Sequence, residues 1–135
     1  MRQITIAVDS FKGSLSSYDV ACAAEQGILS VLPHCKVKKI SIADGGEGTA
    51  QALISTLQGQ WREVRVHDPL MRPIMARYGV VDEGRTAIIE MASASGLTLL
   101  STEERNPLLT TTYGTGEMIA DAVRRGARHL LIGIG

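Results

Sequence analysis

Aromatic side chains are scarce in this sequence, 4% of 135 residues with one Phe and one Trp, so its core must rest on aliphatic packing. Cysteine is scarcer. Cys22 and Cys35 cannot build a disulfide framework, which makes a reducing cytoplasm the expected compartment. An excess of either charge is missing too: fourteen Lys and Arg balance fourteen Asp and Glu. With no basic cluster there is no electrostatic footprint for nucleic acid or an acidic membrane surface, and neither is expected as a partner. No apolar run approaches the roughly 18 residues of a membrane span. The opening run Ile4–Val8 is too short, and meets Asp9 too soon, for a signal peptide. The Gly-x-x-x-x-Gly-Lys-Ser/Thr pattern of P-loop enzymes is absent. Gly114-Thr115-Gly116 lacks the third glycine of a dinucleotide fingerprint, and His34-Cys35 has no second pair to complete a metal site. His67 and His129 read as ordinary surface or strand-end residues.

What is present is glycine, fourteen residues, half of them in three clusters: Gly45-Gly46-Glu47-Gly48, Gly114-Thr115-Gly116 and Gly133-Ile134-Gly135. Glycine lets backbone amides approach a ligand closely, so clusters at element ends suit an anion site as well as tight turns. The surrounding pattern is strand, loop, helix, twice over. Ile4, Ile6 and Val8 suit a strand buried on both faces, followed by a helix that Ser16 caps with Asp19 three residues on and that Pro33 stops. Val37, Ile40 and Ile42 suit a second strand, and Ala50, Leu53, Ile54 and Leu57 a second helix with Gly59 just past its end. Two βα units in a row predict a parallel sheet with crossover helices, Rossmann-like in style.

Between residues 61 and 92 the period changes to two, with turns at Asp68-Pro69 and Asp82-Gly84, which predicts an inserted antiparallel β meander. A helix bearing Ile119, Ala122 and Val123, and a further buried strand from His129, return the chain to the α/β sheet. The expected fold class is therefore α/β, divided into a first βα segment (1–60), the insertion (61–92) and the return (93–135).

Ligands of open α/β sheets collect beyond the carboxyl ends of the strands, where Asp9 and Asp44 both fall. Such an aspartate can hold Mg²⁺, accept a hydroxyl proton, or simply make a turn. Lys12 can bring a point charge to a phosphate or carboxylate, or point into solvent. Ser10 and Ser14 can donate to the same anion or make local turns. Glu47 can bind metal or cap the helix after it. Glu90 belongs on a wet face of the sheet, or else enters a site beside Ser93 and Ser95. Glu117 reads as a partner for its own helix dipole, and Cys22 as a small core or boundary residue.

Three stretches taken together resemble the bacterial glycerate kinase family: Asp9-Ser10-Phe11-Lys12-Gly13-Ser14-Leu15-Ser16, Ala43-Asp44-Gly45-Gly46-Glu47-Gly48-Thr49 and Ile89-Glu90-Met91-Ala92-Ser93-Ala94-Ser95-Gly96-Leu97. So do Arg105-Asn106-Pro107-Leu108, the run Thr110–Glu117 and the ending Ile132-Gly133-Ile134-Gly135, in order across essentially the whole chain. Val8 departs from the family, which usually has proline there. The resemblance implies phosphoryl transfer from ATP, with Mg²⁺, to D-glycerate. It also implies that the chain is the amino-terminal portion of a longer, two-lobed kinase. On that likeness Asp9, Lys12 and Asp44 are the catalytic candidates, and Ser10, Gly45, Gly46, Glu47, Ser95 and Thr115 the substrate-binding ones. Gly114, Gly116, Gly133 and Gly135 are the nucleotide- and phosphate-binding candidates. An intact small enzyme would need a homo-oligomer to rebuild its missing wall. The alternative is a non-catalytic remnant or binding module that keeps a half-site for glycerate.

Overall fold

The computed structural model describes residues 2–9, 11, 14–42, 45–46 and 48–135. The chain forms two compact units, Met1–Asp44 and Gly45–Gly135.

In the first unit, strands β1 (Gln3–Val8) and β2 (Lys36–Ser41) pair in parallel, Gln3 opposite Lys36 and Val8 opposite Ser41. Helix α1 (Ser17–Val31) makes the crossover and packs on both strands. Its start is the capping arrangement expected from sequence: the Asp19 amide donates to Ser16 Oγ at 3.2 Å, and that hydroxyl donates to Asp19 Oδ2 at 2.6 Å. The helix ends at Val31, with Leu32 as its cap, directly before Pro33, whose ring cannot continue it. β1 is not buried on both faces, as its apolar run suggested. Its residues alternate between exposed and half-buried, in a sheet that has two strands among the described residues.

The second unit is a four-stranded sheet in the order β3 (Gln60–His67), β4 (Pro73–Val81), β5 (Thr86–Glu90), β6 (His129–Gly133). β3–β4 and β4–β5 are antiparallel and β5–β6 is parallel, so the period-two strands and the later parallel strand share one mixed sheet. The α/β class with parallel pairing holds in both units.

Alternation along β4 and β5 serves two helices. Ala76, Tyr78, Val80, Ala87 and Ile89 pack with Met118 and Ala122 of α4 (Tyr113–Arg124). Ile88 faces the other way and packs with Ala50 and Ile54 of α2 (Thr49–Leu57), as period two requires. Gly79 makes this second layer possible, since a Cβ there would collide with Ile54. Gly59 does a similar job. An added Cβ would lie 2.6 Å from Val81 and 2.7 Å from the Val80 carbonyl, while Gln58 is the residue that takes the left-handed conformation after α2. Residues 92–95 form one helical turn, α3 (Ala92–Ser95). Within this unit, among the described residues, β6 pairs with β5, and Leu130, Leu131 and Ile132 are exposed where burial was expected. Among the described residues no helix is long and apolar enough to cross a membrane.

Candidate functional site

Within the second unit, several of the singled-out residues meet at the carboxyl ends of β5 and β6. Glu90, the last residue of β5, is in register with Gly133 on β6, and the Met91 amide donates to the Gly133 carbonyl at 2.9 Å. The backbone of Gly45 lies directly on Gly133, where any Cβ would strike the Gly45 carbonyl oxygen. Gly135 stacks on Gly46, with 3.6 Å from its would-be Cβ to the Gly46 Cα. Two glycine clusters 88 residues apart at Gly45 and Gly133 thus form one bare-backbone surface, with positive φ at Gly45 (94°) and Gly135 (85°). Closely apposed glycines let main chain approach main chain, or a ligand, without side chains between.

This surface adjoins the start of α2. The Gly45 amide donates to Thr49 Oγ1 at 3.1 Å, and the Thr49 amide to the Gly46 carbonyl at 3.2 Å. The preceding Gly48 has no side chain with which to cap, and Glu90 supplies the missing acceptor: the Ala50 amide donates to Glu90 Oε1 at 2.6 Å. Glu90 is therefore not a solvated residue on a wet face. Its carboxylate sits where the helix dipole favours negative charge.

Ser95 and Thr115 come together as well. Their hydroxyl oxygens are 2.7 Å apart, and Thr115 Oγ1 also donates to the Met91 carbonyl at 3.5 Å, which leaves Ser95 as the donor to Thr115. Thr115 is buried in the first turn of α4, and Ser95 ends α3. Ser95 opens on a cleft of about 360 Å³ walled by Thr110, Thr111, Thr112, Pro69 and Leu97. No charged side chain among the described residues lines it. It can hold a small hydroxylated or anionic ligand by hydrogen bonds, and its described lining has no group suited to move a proton.

Gly114 and Gly116 lie inside the first turn of α4 rather than ahead of it. The Thr115 and Gly116 amides donate to the Thr112 carbonyl at 3.1 and 3.3 Å, and the Tyr113 amide to Thr111 Oγ1 at 3.2 Å. Gly114 is buried against the His67 carbonyl, with no room for a Cβ; Gly116 faces open space.

In the first unit, Asp9 is half-buried immediately after β1, where the Ile42 amide donates to the Val8 carbonyl at 3.1 Å. Beyond it Phe11 and Leu15 form an isolated antiparallel bridge. Ser10, Lys12, Asp44 and Glu47 lie outside the described residues. Among the described residues no group of three or more His, Cys, Asp or Glu could hold a metal ion.

Sequence reasoning passed over three charged groupings. Asp68 is 2% exposed and accepts from the Leu70 amide (2.8 Å), the Arg72 amide (2.9 Å) and Arg72 Nε (2.5 Å). Burial pushes its carboxyl upward, but the bonds from Arg72 and Leu70 outweigh this and hold it below the ordinary range. Arg72 then reaches Glu104 at 2.8 Å and the Leu99 carbonyl at 3.1 Å, tying the β3–β4 turn to the loop that carries one side of the cleft. Second, Glu117 accepts from the His67 amide at 2.8 Å and lies 3.0 Å from His67 Nδ1, fastening α4 to the end of β3. Third, the Tyr78 hydroxyl donates to Asp121 Oδ2 at 2.8 Å beneath Arg125. An Asp-Pro-x-x-Arg turn was the one local signal for the first grouping; the other two join residues 43 and 50 positions apart, with no mark in the linear pattern.

Comparison with known proteins gives a consistent picture. The model of the Glycerate kinase family matches residues 4–135. The chain is 51% identical over 133 residues to a glycerate kinase of Bacillus subtilis (strain 168), covering 98% of this chain and 35% of the relative. It is 47% identical over 133 residues to the glycerate 2-kinase of Escherichia coli (strain K12), with the same coverage. A crystal structure from Salmonella typhimurium LT2, assigned as glycerate kinase 2, matches with a TM-score of 0.76 at 45% identity, covering 99% of this chain and 36% of that one. The chain spans about a third of the length of the curated relatives it matches.

Proposed function

Because the chain belongs to the glycerate kinase family, we propose that it contributes binding elements for transfer of a phosphoryl group from ATP to a hydroxyl of D-glycerate, giving a phosphoglycerate and ADP. The observation that carries this reading is the Ser95–Thr115 hydroxyl pair at a small, uncharged, hydroxyl-walled cleft. A three-carbon hydroxy acid offers donors and acceptors at every carbon, and a cleft of this size and lining suits it. Phosphoryl transfer is accelerated mainly by positioning and by neutralising charge, so bare glycine backbone near the phosphates is chemically apt. Gly133 and Gly135, with Gly45 and Gly46, supply such a surface, and Gly114 and Gly116 keep the start of α4 free of side chains. Asp9 and Asp44 are the proposed proton acceptors and Lys12 the point charge for a phosphate, with Ser10 and Glu47 as further substrate contacts. Mg²⁺ would arrive bound to ATP as part of the substrate. The described residues do not fit a resident metal, since no three potential ligands converge.

A second reading is binding of glycerate without turnover, favoured by a cleft whose described lining carries hydroxyls but no charged side chain. The two are separated by ADP release from Mg-ATP with and without D-glycerate, together with calorimetric titration of D-glycerate. Glycerate-dependent release supports the kinase reading. Heat of binding without release supports the second reading, and neither signal would reject both. Ser95→Ala is expected to weaken glycerate binding roughly 2- to 10-fold, the scale of one lost hydrogen bond, and to cost about 1 kcal/mol of stability through its lost bond to Thr115.

A further inference from the structure

Helix α1 carries Tyr18, Cys22 and Glu25 at intervals of four and three residues, so all three lie on one face. Lys39 reaches that face from β2. Its ammonium group donates to Glu25 Oε2 at 2.5 Å and to Cys22 Sγ at 3.5 Å, and the nitrogen lies 5.4 Å from the centre of the Tyr18 ring. Small molecules can reach the cluster: Cys22 is half-buried, and the Lys39 and Glu25 side chains are 29% and 27% exposed. A cation beside the sulfur and partial exposure are the surroundings in which cysteines are oxidised. Cys35 offers an internal comparison. It is also a free, half-buried thiol of the first unit, but its sulfur is directed to the Lys36 carbonyl at 3.6 Å.

We infer that Cys22 and Lys39 are a redox modification site, at which hydrogen peroxide closes a reversible sulfur–nitrogen cross-link between α1 and β2. In the first step the Cys22 thiol attacks peroxide. The O–O bond breaks, sulfur takes one oxygen as a sulfenic acid, and the other oxygen leaves as water. Sulfur is oxidised by two electrons and peroxide is reduced by two. In the second step the Lys39 ammonium gives a proton to Glu25, and the freed amine attacks sulfur and displaces its hydroxyl group. That group leaves as water with the proton from Glu25, and one further nitrogen proton passes to solvent. Until sulfur is oxidised, the bond to Glu25 holds Lys39 protonated, with a pKa above the ordinary lysine value. Two equivalents of an external thiol reverse the reaction, becoming a disulfide and restoring thiol and amine. None of this involves phosphoryl transfer, so failure of the kinase reading would leave the cross-link standing.

The test treats the 135-residue chain with hydrogen peroxide, labels the remaining thiols and amines, and maps the peptides by mass spectrometry with and without dithiothreitol. A peptide joining Cys22 to Lys39, two hydrogens lighter than its parts, is expected, and dithiothreitol should release it. Cys35→Ser should leave the cross-link unchanged. Lys39→Arg should leave Cys22 as a sulfenic acid that dimedone captures, because a guanidinium stays protonated. This variant keeps the charge beside Glu25, so its circular dichroism should match the parent. A Cys22–Cys35 disulfide would overturn the assignment, as would a sulfinic acid at Cys22 with the Lys39 amine still free to be labelled. So would a cross-link that survives in Lys39→Arg, since the nitrogen would then belong to another group. Cys22 left reduced by peroxide that oxidises the methionines would overturn it too.

Discussion

Gly114 and Gly116 stand two positions apart in one helical turn and have opposite reasons to be glycine. At Gly114 a methyl group would strike the His67 carbonyl, a backbone atom that cannot swing aside. At Gly116 nothing lies within 4 Å, and the residue is exposed within regular helix. Gly114→Ala should therefore cost about 3 kcal/mol or more, by forcing α4 off the end of β3. Gly116→Ala should instead raise stability by roughly 0.5–1 kcal/mol through helix propensity. Urea denaturation of both variants checks the pair, and equal effects would refute the geometric assignment. If Gly116 is glycine so that a phosphate can approach, the stabilised variant should also bind Mg-ATP more weakly. In that case stability and binding would move in opposite directions.

Among the elements, those specified by local chemistry were legible in the sequence. The Ser16–Asp19 cap, the stop before Pro33 and the period-two run of β4 each depend on residues within a few positions of one another. What could not be read was pairing at a distance. Nothing near Glu90 shows that its carboxylate will serve an amide 40 residues earlier, because the requirement arises at Gly48, which has no side chain for the task. The glycine clusters were legible as special, but their meeting at Gly45 and Gly133 depends on the strand order. Of the candidate site, Ser95 and Thr115 were singled out from separate motifs, and their contact at 2.7 Å depends on the packing of α3 on α4.

The interaction between Glu90 and α2 makes its own prediction. Glu90→Gln retains an acceptor but loses the charge that opposes the helix dipole, and should cost about 0.5–1 kcal/mol. Glu90→Leu leaves the Ala50 amide unpaired and should cost about 1–3 kcal/mol. Thermal unfolding at low and high salt distinguishes them, since only the charge-dependent part is screened.

For the whole molecule, the buried polar groups set a window of pH in which the fold is stable. Asp68 is held below its ordinary range by Arg72 and Leu70 despite its burial, so its folded form is the carboxylate. The stability it contributes is complete above the unfolded value of about 4 and is lost as pH falls through the lower folded value. Glu104, lowered by the Ser101 amide and by Arg72, acts in the same direction on the same network. Tyr78 bounds the other side. Burial, and then its bond to Asp121, push its hydroxyl up to about 12, so the folded form is the neutral phenol. That contribution is complete below the unfolded value of about 10 and is lost as pH rises from there towards 12. The two limbs come from different residues and should be separable. Asp68→Asn should lower stability at pH 7 and flatten the fall between pH 4 and pH 2, leaving the alkaline side unchanged. Tyr78→Phe should cost about 1 kcal/mol at pH 7 and flatten the fall above pH 10, leaving the acid side unchanged. Denaturant titrations of the three proteins from pH 2 to pH 12 would show this as two independent changes of slope. A single variant that altered both limbs would mean that the β3–β4 turn and the Tyr78–Asp121 pair unfold as one network.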